Sequence, residues 1–408
     1  MVNVKIQRGY KTELQLNNIQ KTACLKHAGA ARYAYNWGLS QKKMAMENKT
    51  KIPSAIDLHR RLNALKPTEL PWMYEVSKCS PQEALRNLDR AFDDFFKKRG
   101  RFPKFKSKKS GVGSFRFTGV IKVTESTIQL PRLGVLKLKE CGYLPTGAKI
   151  LSASVSGRAG RWFVSIQVEE DLPDPGIKHE HDVVGVDLGI KTLATVSDGA
   201  RYENPSPLKR NLRKLKQLQR SVSRKVKGSR NRKKAAKKVA RLHFRISNIR
   251  KDMLHKVTTA LAKTKRVIGI EDLNVSGMMK NRYLARSIAD LGLFELRRQL
   301  SYKGDWYSCK IVLVDRFFPS SKMCSVCGEV NESLVLADRE WSCPCGVHHD
   351  RDHNASVNLE NVAASLSETL NDCGGEGSGL RLVAGSETSL NEAGMKQGVW
   401  GVLRNSNS

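Results

Sequence analysis

The chain has 408 residues, of which 40% are hydrophobic, and its 72 Lys and Arg residues against 39 Asp and Glu residues give a net charge of +33. This length predicts two or three domains. Because no apolar run approaches about 18 residues and no signal peptide opens the sequence, we expect a soluble cytoplasmic protein rather than a membrane or secreted one. The charge excess indicates a polyanionic partner, most simply nucleic acid, with a basic structural protein as the alternative.

The amino-terminal part of the sequence predicts a short strand followed by a small helical module. Residues 2–10 fit a basic strand, and helical patterning extends from about residue 13 to about residue 46. A second helix is predicted from about residue 81 to about residue 97, with Pro81 in its first turn, where proline is tolerated. Its apolar positions recur every three or four residues, which is typical of a face buried in a core.

Basic and aromatic side chains are interleaved in residues 97–109. Because this mixture suits phosphate contacts combined with base stacking, we expect nucleic acid to bind here. A solvated loop is the alternative. The candidate contacts are Arg99, Arg101, Lys104, Lys106 and Lys108.

The pattern changes to short alternating strands between residues 114 and 170, with Pro and Gly turns between them. This pattern predicts a small antiparallel β-barrel. Residues 172–176 then serve as a linker to the next domain.

Acidic residues end or follow three apolar segments of the second half of the chain. The β-branched run 183–187 ends in Asp187, the run 267–271 ends in Glu271, and Asp350 and Asp352 stand at the start of an apparent helix. An acid in an apolar strand is costly unless it is paired or binds a metal. Carboxylates suit Mg²⁺, and two ions about 4 Å apart can stabilise both reacting oxygens of a phosphodiester. We therefore predict a two-metal nuclease, although each acid alone is equally consistent with a turn cap.

The most biased stretch lies between the first and second of these acids. Residues 204–251 contain no Asp or Glu, and residues 209–251 carry 19 Lys or Arg. Leucine spacing predicts a helical hairpin whose turn lies at Gly228 and Ser229. A charged face of one sign favours a phosphate backbone over a merely solvated surface. The candidate contacts are Lys209, Arg210, Arg213, Lys214, Arg224, Lys225, Arg232 and Lys233.

Nine cysteines in a cytoplasmic protein indicate metal ligands or free thiols rather than disulfides. Four of them form two close pairs, Cys324 with Cys327 and Cys343 with Cys345, an arrangement typical of a zinc ribbon. One residue rather than two separates the second pair, which crowds the backbone amides around the sulfurs. His348 or His349 is a candidate to replace or supplement a ligand. From residue 362 onward the composition predicts a short helix and then a disordered tail.

Taken in order, four motifs resemble the TnpB family of transposon-encoded, RNA-guided DNA nucleases, which is related to type V CRISPR effectors. Further similar segments at residues 31–36, 102–108, 286–290 and 302–303 extend the resemblance over residues 1 to about 365. The four motifs are Gly185-Val186-Asp187-Leu188-Gly189-Ile190, Ile270-Glu271-Asp272-Leu273, Pro319-Ser320-Ser321-Lys322-Met323-Cys324-Ser325-Val326-Cys327-Gly328 and Asp350-Arg351-Asp352-His353-Asn354-Ala355.

The resemblance implies an α+β multidomain protein. In it, a helical recognition module and a small wedge-like β-barrel precede an RNase H-like (RuvC) α/β domain that carries an inserted zinc ribbon. The expected boundaries are 1–12 and 100–172 for the barrel, 13–99 for the helical module, 177–318 and 346–365 for the RuvC-like domain with its basic hairpin at 203–262, 319–345 for the ribbon, and 366–408 for the tail.

The resemblance also implies cleavage of double-stranded DNA next to a short adjacent motif, directed by a guide RNA from the transposon end, with one protein per RNA. It assigns Asp187, Glu271 and Asp352 as catalytic ligands of two Mg²⁺ ions. Asp352 is preferred over the competing Asp350 because it directly precedes His353, where the helix starts. Cys324, Cys327, Cys343 and Cys345 would bind Zn²⁺. Such a prokaryotic protein would be nucleoid-associated when bound to DNA.

Three alternatives remain. A cleavage-inactive, RNA-guided repressor would be expected to have lost one of the three acids, and all three are present. A DNA-strand transposase would use a nucleophilic tyrosine near paired histidines, which the four motifs do not contain. A miniature type V CRISPR effector would share the same chemistry and differ in genomic context.

Overall fold

The computed structural model describes residues 5–171, 183–335 and 337–372. These residues divide into two units. The amino-terminal unit contains residues 9–157 and 162–167, and the carboxy-terminal unit contains residues 5–8, 158–161 and the described residues from 168 onward. The predicted linker at 172–176 lies outside the described residues, as does most of the predicted tail.

Local capping sequences start the first two helices of the amino-terminal unit. Asn17 and Gln20 form a reciprocal capping box, in which each side chain accepts a hydrogen bond from the other residue's backbone N–H, at 2.8 and 3.1 Å. Gly38 lets the first and third helices approach closely, since a Cβ atom there would lie 2.6 Å from Leu85 Cδ2. The helices are α1 (Asn18–Glu47), α2 (Ala55–Leu65) and α3 (Cys79–Phe96), with 3-10 turns at Pro71–Glu75 and Lys108–Ser110.

The first seven strands of the chain form one sheet, in the order β2-β6-β7-β1-β5-β4-β3. The helix predicted from residue 13 is wrong at its start, because the first strand extends to Gln15 and pairs there with the fifth, Leu14 opposite Leu138. Closure of this sheet into a barrel stays a prediction. The strands are β1 (Lys5–Gln15), β2 (Ser114–Phe117), β3 (Lys122–Val123), β4 (Thr127–Leu130), β5 (Gly134–Leu138), β6 (Lys149–Arg158) and β7 (Arg161–Asp171).

The carboxy-terminal unit is built on a five-stranded mixed sheet in the order β10-β9-β8-β11-β12. The central strand β8 pairs antiparallel with β9 and parallel with β11, and β11 pairs parallel with β12. The strand pattern of residues 183–196 predicts a hairpin after Asp187, and the antiparallel β8–β9 pairing confirms it. The strands are β8 (Val183–Asp187), β9 (Thr192–Val196), β10 (Arg201–Glu203), β11 (Val267–Glu271) and β12 (Lys310–Val314).

The basic stretch forms the predicted helical hairpin. The sequence pattern predicts that the second helix starts near residue 235, but Ser229 caps this helix by accepting a hydrogen bond from Arg232 N, so it begins at Arg230. Leu215, Leu242 and Ile246 form the apolar seam between the two helices. The pattern of residues 284–307 predicts a single helix, but the structure breaks it at Gly292, whose φ of 76° lies in the left-handed region. The helices are α4 (Pro207–Ser223), α5 (Arg230–Thr264), α6 (Val275–Met278), α7 (Ala285–Leu291) and α8 (Leu293–Tyr307).

The last helix, α9 (Arg351–Asp372), follows a short hairpin of β13 (Glu340–Ser342) and β14 (His348–Asp350). The predicted start of the tail at residue 366 is wrong, because α9 continues through residues 366–372. No Gly or Pro interrupts the chain there, and adding residues to a helix that tertiary packing has already nucleated costs little. Residues 373–408 lie outside the described ones. Among the described residues, no helix is long and apolar enough to cross a membrane.

Candidate active site and cysteine cluster

The alternation of side chains along β8 and β11 decides which face of the sheet carries the acids. Val184, Val186, Ile268 and Ile270 belong to the core formed with α5, α7 and α8. Because side chains alternate with a period of two, the odd-numbered positions point to the opposite face, where α9 packs. Asp187 and Glu271 are odd-numbered strand ends and therefore lie on the α9 face.

Two glycines let α9 approach this face closely. Gly185 and Gly269 are partners in the parallel β8–β11 ladder. A Cβ atom at Gly185 would lie 1.9 Å from Ser356 O of α9, and one at Gly269 would lie 2.5 Å from Leu359 O. This contact brings the first turn of α9, which contains Asp352, to the end of the sheet where β8 and β11 finish.

The electrostatic environment of Asp187 includes the other two acids. Burial raises the pKa of Asp187 to about 7, and the carboxylates of Glu271 and Asp352 contribute to this rise. A backbone hydrogen bond at Leu188 and the Arg351 guanidinium act against the rise. The three acids that the sequence singled out are therefore near enough to interact electrostatically, while Asp352 Oδ1 also lies 3.4 Å from Arg339 Nη1.

Asp350 has a different role from Asp352. Its Oδ1 accepts a hydrogen bond from His353 N at 2.9 Å, and its Oδ2 lies 3.1 Å from Arg201 Nη2. Burial would raise the pKa of Asp350, but these two partners outweigh burial and lower it. Asp350 thus acts as a cap of α9, whereas Asp352 in the first turn contributes to the raised pKa of Asp187.

Two motif residues to which the sequence analysis gave no role, Ser320 and Asp272, hold the loop after β12 against Glu271. Ser320 Oγ donates a hydrogen bond of 2.5 Å to Glu271 Oε1. The next residue, Asp272, pairs with Arg297 of α8 and, at 2.6 Å, with Arg316. These partners are 25 to 49 residues away along the chain, so no local pattern could have revealed them.

The four cysteines of the ribbon converge as predicted. Their sulfur atoms all lie within 4.8 Å of one another, which makes a group able to hold a metal ion. The shortened second pair fits because Cys343 N and Val347 O close a tight turn at 2.9 Å. Gly328 and Gly346 follow the two pairs with φ of 80° and 90°, values that favour glycine.

The histidines beside the ribbon differ in position. His349 Nε2 lies 3.1 Å from Cys324 Sγ, while His348 is exposed next to Glu340. Burial would raise the pKa of Cys324, but backbone N–H groups and His349 outweigh it and lower the pKa to about 6. A backbone hydrogen bond at Cys345 would lower the pKa of Cys343, but burial and hydrogen bonding to the other thiols outweigh it and raise this pKa to about 12. Four crowded thiols that cannot all ionise together fit a divalent cation such as Zn²⁺.

Most of the predicted nucleic-acid contacts are exposed cations. Arg99, Arg101, Lys104 and Lys108 lie on an exposed segment, which Asn36 anchors through two hydrogen bonds of 2.7 and 2.9 Å to the backbone of Lys106. The Lys106 ammonium itself lies 3.8 Å from the centre of the Tyr35 ring.

In the basic hairpin, the predicted contacts Lys209, Arg210, Arg213, Lys214, Arg224 and Lys233 are also exposed. Arg232 and Lys225 are only partly exposed, and Arg232 Nη1 donates to Lys225 O at 2.9 Å, which closes the hairpin turn. The buried carboxylate of Asp290 anchors the base of the hairpin. It accepts hydrogen bonds from the first turn of α4 and pairs with Arg250 of α5 at 3.0 Å.

Comparison with known sequence families gives three matches along the chain. Residues 163–282 match a family described as "Probable transposase", residues 294–359 match "Cas12f1-like, TNB domain", and residues 1–51 match "Helix-turn-helix domain". The first segment contains Asp187, Glu271 and the basic hairpin, and the second contains the four cysteines and Asp352.

Full-length relatives decide the family. A protein of Streptomyces pristinaespiralis named "Putative RNA-guided DNA endonuclease" is 39% identical over 375 residues, which cover 91% of this chain and 92% of the relative. Escherichia coli K12 has "Putative RNA-guided DNA endonuclease InsQ", 34% identical over 91% of this chain and 95% of the relative. The chain belongs to the TnpB family.

A solved structure supports the fold of this TnpB-family chain. The Cas12f1 chain in a cryo-EM complex with guide RNA and target DNA has a TM-score of 0.54 and 13% identity, with coverage of 88% of this chain and 99% of that chain. At this identity the likeness concerns the fold alone.

A His-x-His pair, which the transposase alternative would need, does occur in this TnpB-family sequence at His179 and His181, outside the described residues.

Proposed function

We propose that this TnpB-family chain is an RNA-guided DNA endonuclease of a transposon, which cleaves double-stranded DNA next to a short adjacent motif. The observation that supports the proposal is that Asp187 and Glu271 end the neighbouring parallel strands β8 and β11, while α9, with Asp352 in its first turn, packs against both strands. Names of relatives point to the same activity. We assign this sheet and its helices as the RuvC-like domain and residues 319–345 as its zinc ribbon.

The three carboxylates fit divalent cations. They offer only hard oxygen ligands, and the pKa of Asp187 is raised first by burial and then by repulsion from Glu271 and Asp352, both of which bound cations would offset. Asp187, Glu271 and Asp352 would hold two Mg²⁺ ions, which when bound polarise a phosphodiester and activate a water. The four cysteines would hold one Zn²⁺.

The protein's own side chains have distinct tasks in this proposal. Exposed cations of the hairpin and of residues 99–108 bind the phosphate backbones of guide and target, whose pairing selects the sequence. Ser320 orients Glu271 through its hydrogen bond. Asp272, held by Arg297 and Arg316, keeps the loop after β12 next to the acids. One protein per guide RNA suffices, because a single chain contains all these groups.

The test uses guide-loaded protein and a matched DNA that bears the right adjacent motif. Asp187→Ala should abolish cleavage of both strands and leave DNA binding within about twofold, since binding is spread over many Lys and Arg side chains. Asp350→Asn is the matched control, because Asp350 caps a helix and should not bind the cations. Full cleavage by Asp187→Ala would refute the assignment. Loss of cleavage in Asp350→Asn together with retained cleavage in Asp352→Asn would show that Asp350, not Asp352, is the third catalytic acid.

A second experiment tests the guide. We expect the protein to purify with a structured RNA whose sequence maps to a transposon end, because a net charge of +33 needs a polyanionic partner. RNA affinity should fall steeply as salt rises, since phosphate contacts release counterions. Stable, monodisperse protein at low salt after complete RNase treatment would contradict this expectation.

A further inference from the structure

Two buried asparagines of α9 connect the cysteine cluster to the acids. We propose that Asn354 and Asn358 are positioning residues through which metal loading of the cysteines sets the cation affinity of the acid site. The proposal rests on the proposed function only in taking Asp187, Glu271 and Asp352 as cation ligands.

The first observation is how the asparagines hold the first residues of the ribbon, 320–325, which we call the connecting segment. Asn358 Nδ2 donates hydrogen bonds of 2.7 Å to Ser320 O and to Met323 O. Asn354 Nδ2 also donates to Met323 O at 2.7 Å, and its Oδ1 accepts from Ser325 N at 3.0 Å. The asparagine amides therefore bind the connecting segment at both ends and in the middle.

The position of the asparagines on α9 is unusual for their residue type. Asn354 and Asn358 are 2% and 1% exposed, one helical turn apart. Asparagine is a poor helix former, and a buried amide is costly unless hydrogen-bonded. Here the connecting segment supplies the partners, so the helix and the segment stabilise each other and neither can move alone without leaving buried polar groups unpaired.

The connecting segment has a functional group at each end. Ser320 Oγ donates to Glu271 Oε1, and four residues later Cys324 joins the sulfur cluster. Asp352 lies two residues before Asn354 in the same helical turn. A shift of the first cysteine pair would therefore reach Glu271 through Ser320, and Asp352 through α9.

A second connection runs through the other half of the ribbon. Arg339 Nη1 lies 3.4 Å from Asp352 Oδ1, and Arg339 O accepts a hydrogen bond of 2.8 Å from Arg351 N. Arg351 Nη1 in turn donates to Val335 O at 2.8 Å. Both cysteine pairs are thus attached to the first turn of α9, one through the asparagines and one through these arginines.

The expected behaviour follows from thermodynamic linkage. If zinc at the cysteines orders the connecting segment, it must strengthen cation binding at the acids, and cations at the acids must strengthen zinc binding by the same factor. Groups that orient metal ligands typically change metal affinity about 10- to 100-fold when removed. We expect an effect in this range from zinc removal and from substitution of either asparagine.

The experiment measures Mn²⁺ binding by electron paramagnetic resonance, with Mn²⁺ as the probe for the acid site of the full chain bound to its RNA. Zinc depletion should weaken Mn²⁺ binding about tenfold, and readdition of zinc should restore it. Asn358→Ala should weaken Mn²⁺ binding similarly and speed zinc release to a colorimetric chelator, with RNA affinity unchanged. Hydrogen exchange should rise in the connecting segment and in the first turn of α9.

Asn361→Ala is the control, because Asn361 is exposed on the same helix. Asn354→Ala provides a second variant if Asn358→Ala fails to fold, and zinc depletion of the wild type needs no variant at all. Equal Mn²⁺ affinity with and without zinc would overturn the coupling while leaving the proposed function intact. Mn²⁺ binding that survives Asp187→Ala unchanged would instead refute the acid site itself.

Discussion

The contact between Gly185 and α9 provides the most direct test of how the fold positions the acids. A methyl group at Gly185 would lie 1.9 Å from Ser356 O, 2.4 Å from Glu360 N and 2.9 Å from Leu359 C, all of which are backbone atoms of α9. Because these atoms belong to a helix, they cannot rotate away as a side chain would. Gly185→Ala must therefore displace the helix or bend the strand.

The size of the effect follows from this distance. Ordinary van der Waals contact begins near 3.4 Å, so relief of the clash needs a shift of about 1.5 Å, more than the roughly 1 Å that can cost a reaction about 100-fold in rate. Overpacking of a core typically costs about 1–3 kcal/mol of unfolding free energy. We expect Gly185→Ala to reduce single-turnover DNA cleavage at least about 100-fold and to lower the melting temperature.

The assay compares three variants of the guide-loaded protein. Gly269→Ala should have a milder effect in the same direction, since its nearest atom is 2.5 Å away. Gly147→Ala is the control, because nothing lies within 4 Å of a Cβ atom there. DNA binding should stay near the wild-type level in all three. Wild-type cleavage and melting in Gly185→Ala would refute the argument, and a larger loss in Gly269→Ala than in Gly185→Ala would show that the close approach is not the cause.

Three further predictions concern other parts of the chain. Burial lowers the pKa of His27 in the folded state below its ordinary 6.5. The neutral ring therefore stabilises the native state fully above pH 6.5, and this contribution is lost as the pH falls through the lowered pKa. Chemical denaturation between about pH 7 and pH 5 should show a smaller stability loss in His27→Gln than in the wild type. One zinc per chain should be found by metal analysis, and Cys324→Ser should release it while Cys141→Ser, at an exposed free thiol, should not. Asp290→Ala leaves partly buried donors of Leu208 and Arg250 unpaired and should cost about 1–3 kcal/mol of unfolding free energy and weaken RNA binding, whereas Asp252→Ala, in an exposed pair, should change stability by less than about 1 kcal/mol.

The sequence alone predicted the elements that depend on local rules. Strands ending at Asp187 and Glu271 follow from short β-branched runs, and the hairpin between them follows from leucine spacing and the turn at Gly228. The convergence of four sulfurs followed from paired cysteines even though one pair is shortened. These signals lie within a few residues of one another, where side-chain period and turn chemistry act directly.

Some predicted boundaries of helices and strands were wrong because local signals do not include contacts with distant segments. The first strand extends to Gln15 because its ladder with β5 outweighs the helical pattern around residue 13. The helix expected from 284 to 307 breaks at Gly292, where one left-handed residue changes the direction of the chain. Propensity is a weak prior, and pairing with a distant strand or a single backbone angle can override it.

Only the tertiary structure decided how the acids meet. The local pattern favours Asp352 over Asp350 only through its place before His353, and the structure separates their roles because Arg201, 149 residues away, pairs with Asp350. Nothing in the sequence around Gly185 reveals that a helix backbone from residue 356 onward packs against it. The candidate acids and cysteines could be identified from the sequence because their residue types and spacing reflect local chemistry. The site itself depends on contacts of β8, β11 and α9, segments about 80 or more residues apart, which form only when the sheet and α9 pack together.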